Sequence, residues 1–220
     1  MNKIAWSSHN WLIVQINNNS LKGLLDKIRG RVVDLGCGTA PYKTDILCVA
    51  EEYIGVDWEN SFHDQSHVDI FANLCETLPI EDQFADTIVS FQVIEHLPEP
   101  YIFLKEANRI LRSDGAIIIT VPFMWHVHEA PHDYYRFTRY GLEYLLNKAG
   151  FIDITIKENT GYWQMSVLKF NYYTMSFARG PLRWFFVPIW YAGQILSPIL
   201  DKIHRVPTET ASYTAIARKP

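Results

Sequence analysis

The sequence predicts a doubly wound α/β fold, a Rossmann-like sheet of seven strands whose last strand is antiparallel. Short apolar runs alternate with segments of helical length and periodicity, which is the pattern of strands joined by crossover helices. The first of these runs ends in a glycine-rich turn, as a buried parallel strand does where it leads into a helix. With 220 residues the chain is expected to form one domain, 1–220.

The predicted elements follow the apolar runs in chain order. A helix over Leu21–Ile28 has its apolar residues at helical spacing and is stopped by Gly30. Five strand candidates come next: Val32–Leu35, Tyr53–Val56, Val68–Phe71, Thr87–Phe91 and Ala116–Val121. Before the last of them, Tyr101–Leu111 carries the apolar stripe of a helix, and Asp114-Gly115 turns the chain into the strand.

The C-terminal part continues the alternation and then interrupts it. Thr138 is a good N-cap for a helix that ends at Gly150, and strands are predicted at Phe151–Ile156 and Ser212–Ala217. The segment 158–210 between these strands holds eleven aromatic residues from Tyr162 to Tyr191, interleaved with prolines. It is interpreted as an insertion of short helices. Three roles stay open for it: a cap that completes the core, a membrane-facing surface, or the contact of a homodimer.

Composition narrows the partners and the compartment. A net charge of -4 offers no general attraction to phosphate backbones, so nucleic acid is an unlikely partner. Three cysteines at spacings unlike those of disulfide frameworks or zinc sites favour a reducing compartment. The longest uncharged stretch, Trp184–Leu200, has 17 residues and is interrupted by prolines, whereas a spanning helix needs about 20 apolar residues. A cytoplasmic protein is expected, with peripheral contact at the inner membrane face as the alternative.

The first strand ends in Asp34-Leu35-Gly36-Cys37-Gly38, the densest glycine signal in the chain. In an open α/β sheet, ligands bind beyond the carboxyl ends of the strands, at the point where the strand order reverses. Glycines let the backbone approach a ligand closely, and Asp57 ends the next strand, where a carboxylate can hold two ribose hydroxyls. The spacing predicts a site for an adenosine-type cofactor.

Two cofactor classes share this geometry. A dinucleotide fingerprint needs a third glycine where this chain has Pro41, which weakens the nicotinamide alternative. S-adenosylmethionine carries an amino group and a sulfonium instead of phosphates, so its chemistry favours an acidic residue at the strand end. Asp34 supplies that residue.

Seven short motifs in order now resemble the class I S-adenosylmethionine-dependent methyltransferases, in particular the ubiquinone-biosynthesis methyltransferases. The resemblance covers Arg31 to Ile156 and rests on Val33-Asp34-Leu35-Gly36-Cys37-Gly38, Tyr53-Ile54-Gly55-Val56-Asp57, Leu78-Pro79, Phe84-Ala85-Asp86, Val93-Ile94-Glu95-His96-Leu97, Arg109-Ile110-Leu111 with Asp114-Gly115, and Ala149-Gly150-Phe151. This chain departs from many relatives at Thr39-Ala40-Pro41, where they have a further glycine after the threonine.

The resemblance implies a role for each matching position. Gly36 and Gly38 would line the methionine moiety, Asp34 would face its amino group, and Asp57 would hold the ribose. The cofactor-binding residues that it implies are Asp34, Gly36, Cys37, Gly38, Asp57, Trp58, Asn73, Leu74, Phe91 and Gln92. Asn73 and Leu74 would meet the adenine edge, and S-adenosylmethionine is the cofactor expected.

A histidine-rich segment, residues 126–136, follows the strand Ala116–Val121 and is therefore expected to lie next to the methyl group of the cofactor. A histidine paired with a carboxylate suits a base for methyl transfer, so the predicted catalytic residues are His128, His132 and Asp133. The predicted substrate-binding residues are Tyr135, Arg136 and His96. A purely structural loop and a metal site are the alternatives. Because the histidines lack the i, i+4 register of helical zinc motifs, no metal is predicted.

The expected function is methyl transfer from S-adenosylmethionine to a small-molecule or lipid-linked glycan acceptor, most simply at oxygen. The histidine-rich segment resembles a feature of bacterial methyltransferases thought to act on glycans or lipid-linked intermediates. Ser90-Phe91-Gln92-Val93 replaces the Asn/Asp-Pro-Pro-Tyr motif used on exocyclic amines, and this disfavours methylation of nucleic-acid bases. The alternative is an interaction module that keeps the cofactor site without catalysis.

Overall fold

A computed structural model describes residues 4–60 and 64–220 of the chain. Within these residues seven strands form one sheet in the order β3-β2-β1-β4-β5-β7-β6, and β1, β2, β3, β4 and β5 pair in parallel. The end of the sheet is antiparallel, which confirms the predicted fold class. The strands are β1 Arg31–Leu35, β2 Glu52–Asp57, β3 Ile70–Phe71, β4 Ala85–Phe91, β5 Leu111–Pro122, β6 Ile152–Glu158 and β7 Ser212–Arg218.

Helices connect the strands and form most of the segment between β6 and β7. They are α1 Trp11–Lys22, α2 Lys43–Ile46, α3 Pro100–Ile110, α4 Arg139–Lys148, α5 Tyr162–Met175 and α6 Leu182–Ile203. By its contacts the chain divides into two compact units. The sheet unit comprises residues 24–157 and 213–220, and the helical unit comprises residues up to Gly23 together with 158–212. One domain over 1–220 stays a prediction.

The core of the sheet unit is built on β1 and on the face of α3. Val33 and Leu35 of β1 are fully buried, as expected for a central parallel strand. The predicted apolar stripe of α3 is confirmed, because Phe103, Leu104 and Ala107 are buried against the sheet unit's core. Pro100 opens this helix at a position where its missing N–H costs nothing.

Local hydrogen bonds explain where predicted elements begin and end. Thr138 caps α4 as predicted, since its hydroxyl accepts the N–H of Gly141 at 3.0 Å. The predicted strand Val68–Phe71 is reduced to β3, because the Asp69 carboxylate accepts the N–H of Gly55 at 2.7 Å and takes the place of a strand carbonyl.

The predicted helix Leu21–Ile28 is wrong. The helix α1 ends at Lys22, and only a single 3-10 turn, Leu25–Lys27, follows it. Leu21, Leu24 and Ile28 are buried as the pattern indicated, but only Leu21 lies in α1, and the other two flank the 3-10 turn. Apolar spacing alone therefore identified the buried positions and misplaced the helix.

The helical unit contains two long helices where the sequence predicted short ones. α6 runs for 22 residues through Pro188 and Pro198. One face of it is buried and largely polar, and Trp190 on that face donates its indole N–H to the Thr174 hydroxyl of α5 at 2.8 Å. In the part of the chain that the structure describes, neither α6 nor another helix combines the length and hydropathy that crossing a bilayer requires.

Asp201, on the buried face of α6, caps the start of α5. Its carboxylate accepts the N–H groups of Gly161, Trp163 and Gln164 at 3.0, 3.0 and 3.1 Å. A Cβ at position 161 would lie 2.5 Å from the same carboxylate, so the residue there must be glycine. These N–H groups have no intrahelical acceptor, and a distant side chain satisfies them instead of a local cap.

Replacing Asp201 by Ala should destabilise the protein by about 2–4 kcal/mol, because buried N–H groups lose their acceptor. Asp201→Asn keeps one acceptor oxygen and should cost less. Urea denaturation followed by tryptophan fluorescence measures both variants, with the exposed neighbour substitution Lys202→Ala as control. An Asp201→Ala protein as stable as the Lys202→Ala protein would contradict the capping role.

Candidate active site

The turn after β1 is held in a conformation that glycine favours. Gly36 and Gly38 have positive φ angles of 82° and 52°. The N–H groups of Gly36 and Cys37 both donate to the carbonyl of Val56 at the end of β2, at 2.8 and 3.1 Å. A Cβ at Gly36 would lie 2.5 Å from the Val93 side chain, so a larger residue would not fit. The turn therefore keeps its backbone open at the carboxyl ends of β1 and β2.

Ala40 lies where this chain departs from the family pattern. Its φ angle is 47°, in the left-handed region that costs an L-residue roughly 1–2 kcal/mol. The backbone here therefore takes, with an alanine, a conformation that glycine adopts at less cost.

Asp34 is buried at the end of β1 and is hydrogen-bonded to one phenol. The hydroxyl of Tyr53 donates to its carboxylate at 2.6 Å. Burial raises the pKa of Asp34 to about 7, although the Tyr53 hydrogen bond opposes this rise and the nearby Asp57 adds to it. A cation that approached this carboxylate would restore its ionised form.

Asp57 ties the two strand ends together. Its carboxylate accepts the N–H of Gly38 at 2.6 Å and the N–H of Trp58 at 2.7 Å. The side chain of Trp58 is exposed at the rim. A carboxylate has about four lone-pair positions, so these two bonds leave capacity for the hydroxyls of a ligand.

Besides Asp34, two of the implied cofactor residues have buried side chains. The sulfur of Cys37 packs where a Cβ of Gly55 would lie, 2.9 Å away, and burial raises the pKa of its thiol to about 12. Leu74 belongs to the hydrophobic core. Only the backbone of these residues is available to a ligand, so their side chains have structural roles.

The ends of β3 and β4 supply the other implied positions. Asn73 is exposed after β3, where its side-chain oxygen accepts the N–H of Cys75 at 3.0 Å. Gln92 follows β4 with a φ angle of 57°, and its N–H donates to the Thr120 carbonyl at 3.0 Å. Phe91 stands edge-on to Tyr42 with 5.4 Å between the ring centroids. The ends of β1, β2, β3 and β4 therefore contribute to one edge of the sheet.

An ion pair organises the histidine-rich segment. Arg136 contacts Asp133 through both nitrogens of its fork, at 2.6 and 2.7 Å, and donates to the carbonyls of Trp125 and His126. The hydrogen bonds from Arg136 hold the pKa of Asp133 well below its usual range. Because the Arg136 fork is engaged inside the loop, the structure favours a loop-ordering role over the predicted acceptor contact.

Asp133 lies beside His128 and not beside His132. It accepts the backbone N–H of His128 at 2.8 Å, and its Oδ2 is 3.5 Å from the His128 ring nitrogen Nδ1. Burial lowers the pKa of His128, so this ring is neutral near pH 7. The His132 ring instead packs edge to face against the Trp58 ring, with 5.6 Å between the ring centroids. The contact brings the segment to the end of β2.

Tyr135 reaches back to the turn after β4. Its hydroxyl donates to the carbonyl of Pro98 at 2.9 Å, and its backbone N–H donates to the carbonyl of Glu95. His96 lies in the same turn, and its Nδ1 is 2.6 Å from the His132 carbonyl. The structure thus brings together the histidine-rich segment and the predicted substrate residues, whose roles stay predictions.

Sequence reasoning did not include Glu95 among the site residues. It is fully buried, and burial raises its pKa to about 8. Within residues 4–60 and 64–220, neither of its carboxylate oxygens has a hydrogen-bond partner. An acidic residue beside a histidine at the end of a predicted strand was the signal in the sequence, but it has an equally good explanation as a helix-start carboxylate.

These features fit the cofactor that the sequence predicts. The glycine at position 36 leaves a cradle that a Cβ would fill, and a buried acid of raised pKa stands beside it. An amino group of a ligand would complement Asp34, and ribose hydroxyls would complement Asp57. The residues present therefore suit S-adenosylmethionine.

Comparison with known proteins agrees with the geometry. A family model described as "Methyltransferase domain" matches residues 33–119, from β1 into β5. A probable S-adenosylmethionine-dependent methyltransferase of Mycobacterium tuberculosis is 39% identical over 98 residues, which cover 41% of this chain and 35% of the relative. A ubiquinone biosynthesis O-methyltransferase of Bradyrhizobium diazoefficiens is 27% identical over 99 residues, covering 41% of this chain and 39% of that protein. The ubiquinone branch is thus a distant relative, and the chain matches little more than a third of either protein.

A solved S-adenosylmethionine-dependent methyltransferase from Archaeoglobus fulgidus has the same fold. Its TM-score is 0.62 at 16% identity, and the alignment covers 94% of each chain. The fold, the family model and the glycine-acid turn lead to one conclusion. Residues 33–119 match a methyltransferase family model, and the chain has the fold and the cofactor turn of the class I S-adenosylmethionine-dependent methyltransferases, as its sequence predicted.

Proposed function

We propose that the protein transfers the methyl group of S-adenosylmethionine to an oxygen atom of a small-molecule or lipid-linked glycan acceptor. When bound, the cofactor supplies an electrophilic methyl group on a sulfonium. The observation that carries the proposal is the contact between His132 and Trp58, which joins the histidine-rich segment to the strand end where the cofactor's ribose is expected. The segment is thereby available to an acceptor that sits beside the cofactor turn.

His132 is the base in this proposal. As the new O–C bond forms and the S–C bond breaks, the hydroxyl proton of the acceptor passes to the imidazole. His132 is half-buried and its Nδ1 lies 3.4 Å from the Tyr134 hydroxyl, whereas His128 is enclosed by Asp133 and Arg136. Asp133 then acts by holding the loop in place. The distant O-methyltransferase relative supports oxygen as the methylated atom.

The exposed face of α6 supports a lipid-linked acceptor. This α6 surface consists of apolar side chains that the helix leaves uncovered: Trp184, Phe185, Ile189, Leu196, Ile199 and Ile203. The charged residues of α6 are Arg183, Lys202 and the buried Asp201, so the exposed charges of this helix are positive. An apolar helix face with cationic ends binds the interface of an anionic membrane. We infer peripheral attachment of the helical unit to such a surface.

Asp34 is expected to lower the stability of the folded protein at neutral pH and to strengthen cofactor binding. Its pKa rises from 3.8 to about 7 on folding, so the folded protein loses stability as pH rises between these values. Asp34→Asn removes this loss and keeps an acceptor for Tyr53. At pH 8 the variant should be more stable than the wild type by on the order of 3 kcal/mol, and the difference should vanish near pH 4.

The same variant should bind S-adenosylhomocysteine at least about tenfold more weakly, because the amino group of the ligand loses its carboxylate. Urea denaturation across pH and calorimetry with S-adenosylhomocysteine measure the two effects, and NAD serves as the control ligand. Tyr53→Phe should lower stability at pH 8, since it removes the opposing hydrogen bond. Wild-type stability and affinity in Asp34→Asn, or preferential binding of NAD, would contradict the assignment.

Replacing His132 by Ala should slow methyl transfer by about 10²- to 10⁴-fold, the usual worth of a general base. Cofactor affinity should stay within about threefold of the wild type. Release of S-adenosylhomocysteine is measured with hydroxylated small molecules and with lipid-linked glycans in detergent. Wild-type turnover in the variant would remove His132 from the mechanism. If the wild type binds the cofactor but releases no S-adenosylhomocysteine with either acceptor class, the alternative of a catalytically inactive interaction module is favoured.

The α6 surface should attach the protein to anionic vesicles. Trp184→Ser combined with Phe185→Ser should reduce co-sedimentation with phosphatidylglycerol-containing vesicles at least about tenfold, because two large apolar side chains no longer enter the interface. Tyr140→Ser on α4 is the matched control, since Tyr140 is 78% exposed and Trp184 is 79% exposed. Equal recovery of the wild type with and without vesicles would contradict membrane attachment. A dimer in light scattering, lost on the double substitution, would indicate a second copy instead.

A further inference from the structure

Three side chains converge in the sheet unit on a space that the proposed function does not use. Glu95 and His96 come from the turn after β4, and His128 comes from the segment after β5. One ligand atom of each lies within 4.8 Å of the other two. The histidine rings meet edge to face with 4.8 Å between their centroids. We propose that Glu95, His96 and His128 bind a divalent transition-metal ion, with Zn²⁺ as the best-suited ion.

The tautomer of His96 is the first argument. Its Nδ1 is 2.6 Å from the carbonyl of His132. A carbonyl oxygen can only accept a hydrogen bond, so Nδ1 carries the proton and the neutral ring has its lone pair on Nε2. That lone pair faces Glu95 Oε1 across 3.7 Å. Two acceptors that face each other repel unless a proton or a metal ion lies between them, and a metal ion can displace a proton held there.

His128 approaches the same carboxylate from the other side, but its tautomer differs. The Arg136 Nη2 lies 3.3 Å from Nδ1 and can only donate, so the neutral ring carries its proton on Nε2. A zinc ion at Nε2 would move that proton to Nδ1, which lies 3.5 Å from the Asp133 Oδ2. The Nε2 of His128 faces Glu95 Oε1 across 3.9 Å. In both imidazoles Nε2 lies near Glu95 Oε1, and Nδ1 contacts other groups of the protein. Metal-binding histidines are oriented by outer-shell carbonyls and carboxylates in this way.

Glu95 is the second, independent observation. Its side chain is fully buried, and among the described residues both carboxylate oxygens are without a hydrogen-bond partner. Such a group is costly to bury unless a charge or donor compensates it. The two histidine nitrogens beside Oε1 are too far away for hydrogen bonds, at 3.7 and 3.9 Å. A divalent ion would compensate the carboxylate from the same side as both imidazoles.

The distances and the donor set suit zinc. Zinc bonds of about 2.0–2.2 Å in tetrahedral geometry place neighbouring ligand atoms about 3.4 Å apart, so small side-chain rotations would complete the site. Two histidines and one glutamate are a known ligand set of catalytic zinc, and they leave a coordination position open. Glu129 Oε2, 3.8 Å from His96 Nε2, lies near enough to approach that position.

The inference departs from the sequence analysis, which considered the histidine-rich segment as a metal site and predicted none. The cluster takes only His128 from that segment and adds two residues from the turn after β4. Chain spacing within the segment could not reveal it. The inference stands apart from the proposed function, because neither cofactor nor acceptor is needed to observe metal binding.

The test is calorimetric titration of the full chain with ZnCl₂ after treatment with chelator and dialysis, with the metal content of the dialysed complex measured as a check. One Zn²⁺ per chain is expected. Glu95→Gln and His128→Ala should each weaken the affinity at least about tenfold. His132→Gln is the matched control, because it changes a neighbouring histidine and keeps the carbonyl that orients His96. Its affinity should stay within about threefold of the wild type.

A second readout guards against a variant that fails to fold. Co²⁺ replaces Zn²⁺ in the wild type and in His96→Gln, and its visible absorption reports the ligands around the ion. A spectrum with histidine and carboxylate ligands, altered in His96→Gln but not in His132→Gln, supports the site. Absence of saturable binding would overturn the inference. Zinc affinity unchanged in folded Glu95→Gln and His128→Ala proteins would overturn it as well, because surface histidines would then hold the ion.

Discussion

The position of β1 between β2 and β4 is the constraint on which the rest of the site depends. Its residues pair in parallel with both neighbours and are almost completely buried, so the register of the strand is strongly determined. The strand order reverses at β1, so the turn after β1 lies at the crevice where open α/β sheets bind ligands. Hydrogen bonds from Gly36 to Val56 and from Gly38 to Asp57 then link the turn to the end of β2. A ligand site at this edge follows from the pairing of the strands.

Two buried carboxylates distinguish this edge from an ordinary sheet end. Asp34 has the Tyr53 hydroxyl as a partner, whereas Glu95 has no hydrogen-bond partner for its carboxylate among the described residues. Burial raises the pKa of both, to about 7 and about 8. Groups of this kind lower the stability of the folded chain and are expected where a protein binds cations or does chemistry. Asp34 lies at the end of β1, and Glu95 lies in the turn that follows the neighbouring strand β4.

The helical unit is organised differently. On α6 the buried face contains Gln194, Ser197 and Asp201, while large apolar side chains stay exposed. Two of these buried polar side chains make hydrogen bonds within the unit, because Asp201 caps α5 and Gln194 accepts the N–H of Leu12 at 3.2 Å. The apolar residues are therefore not needed for the core of this unit. A helix whose apolar face is left to the surface is typical of an interaction with a membrane or a partner.

Much of the fold and of the cofactor turn was predictable because both depend on neighbours in the chain. Apolar runs of strand length and the turn Asp34-Leu35-Gly36-Cys37-Gly38 are local signals, and the φ angle of Gly36 explains why glycine is needed there. Spacing wrongly predicted a helix over Leu21–Ile28, since Leu24 and Ile28 are buried outside α1, on either side of a 3-10 turn. The pairing of Asp133 with His128, and the convergence of Glu95 and His96 on that histidine, was decided only by the tertiary structure. The first is a contact within one loop, whereas the second depends on β4 and β5 lying side by side, a neighbourhood that periodicity along the chain does not encode.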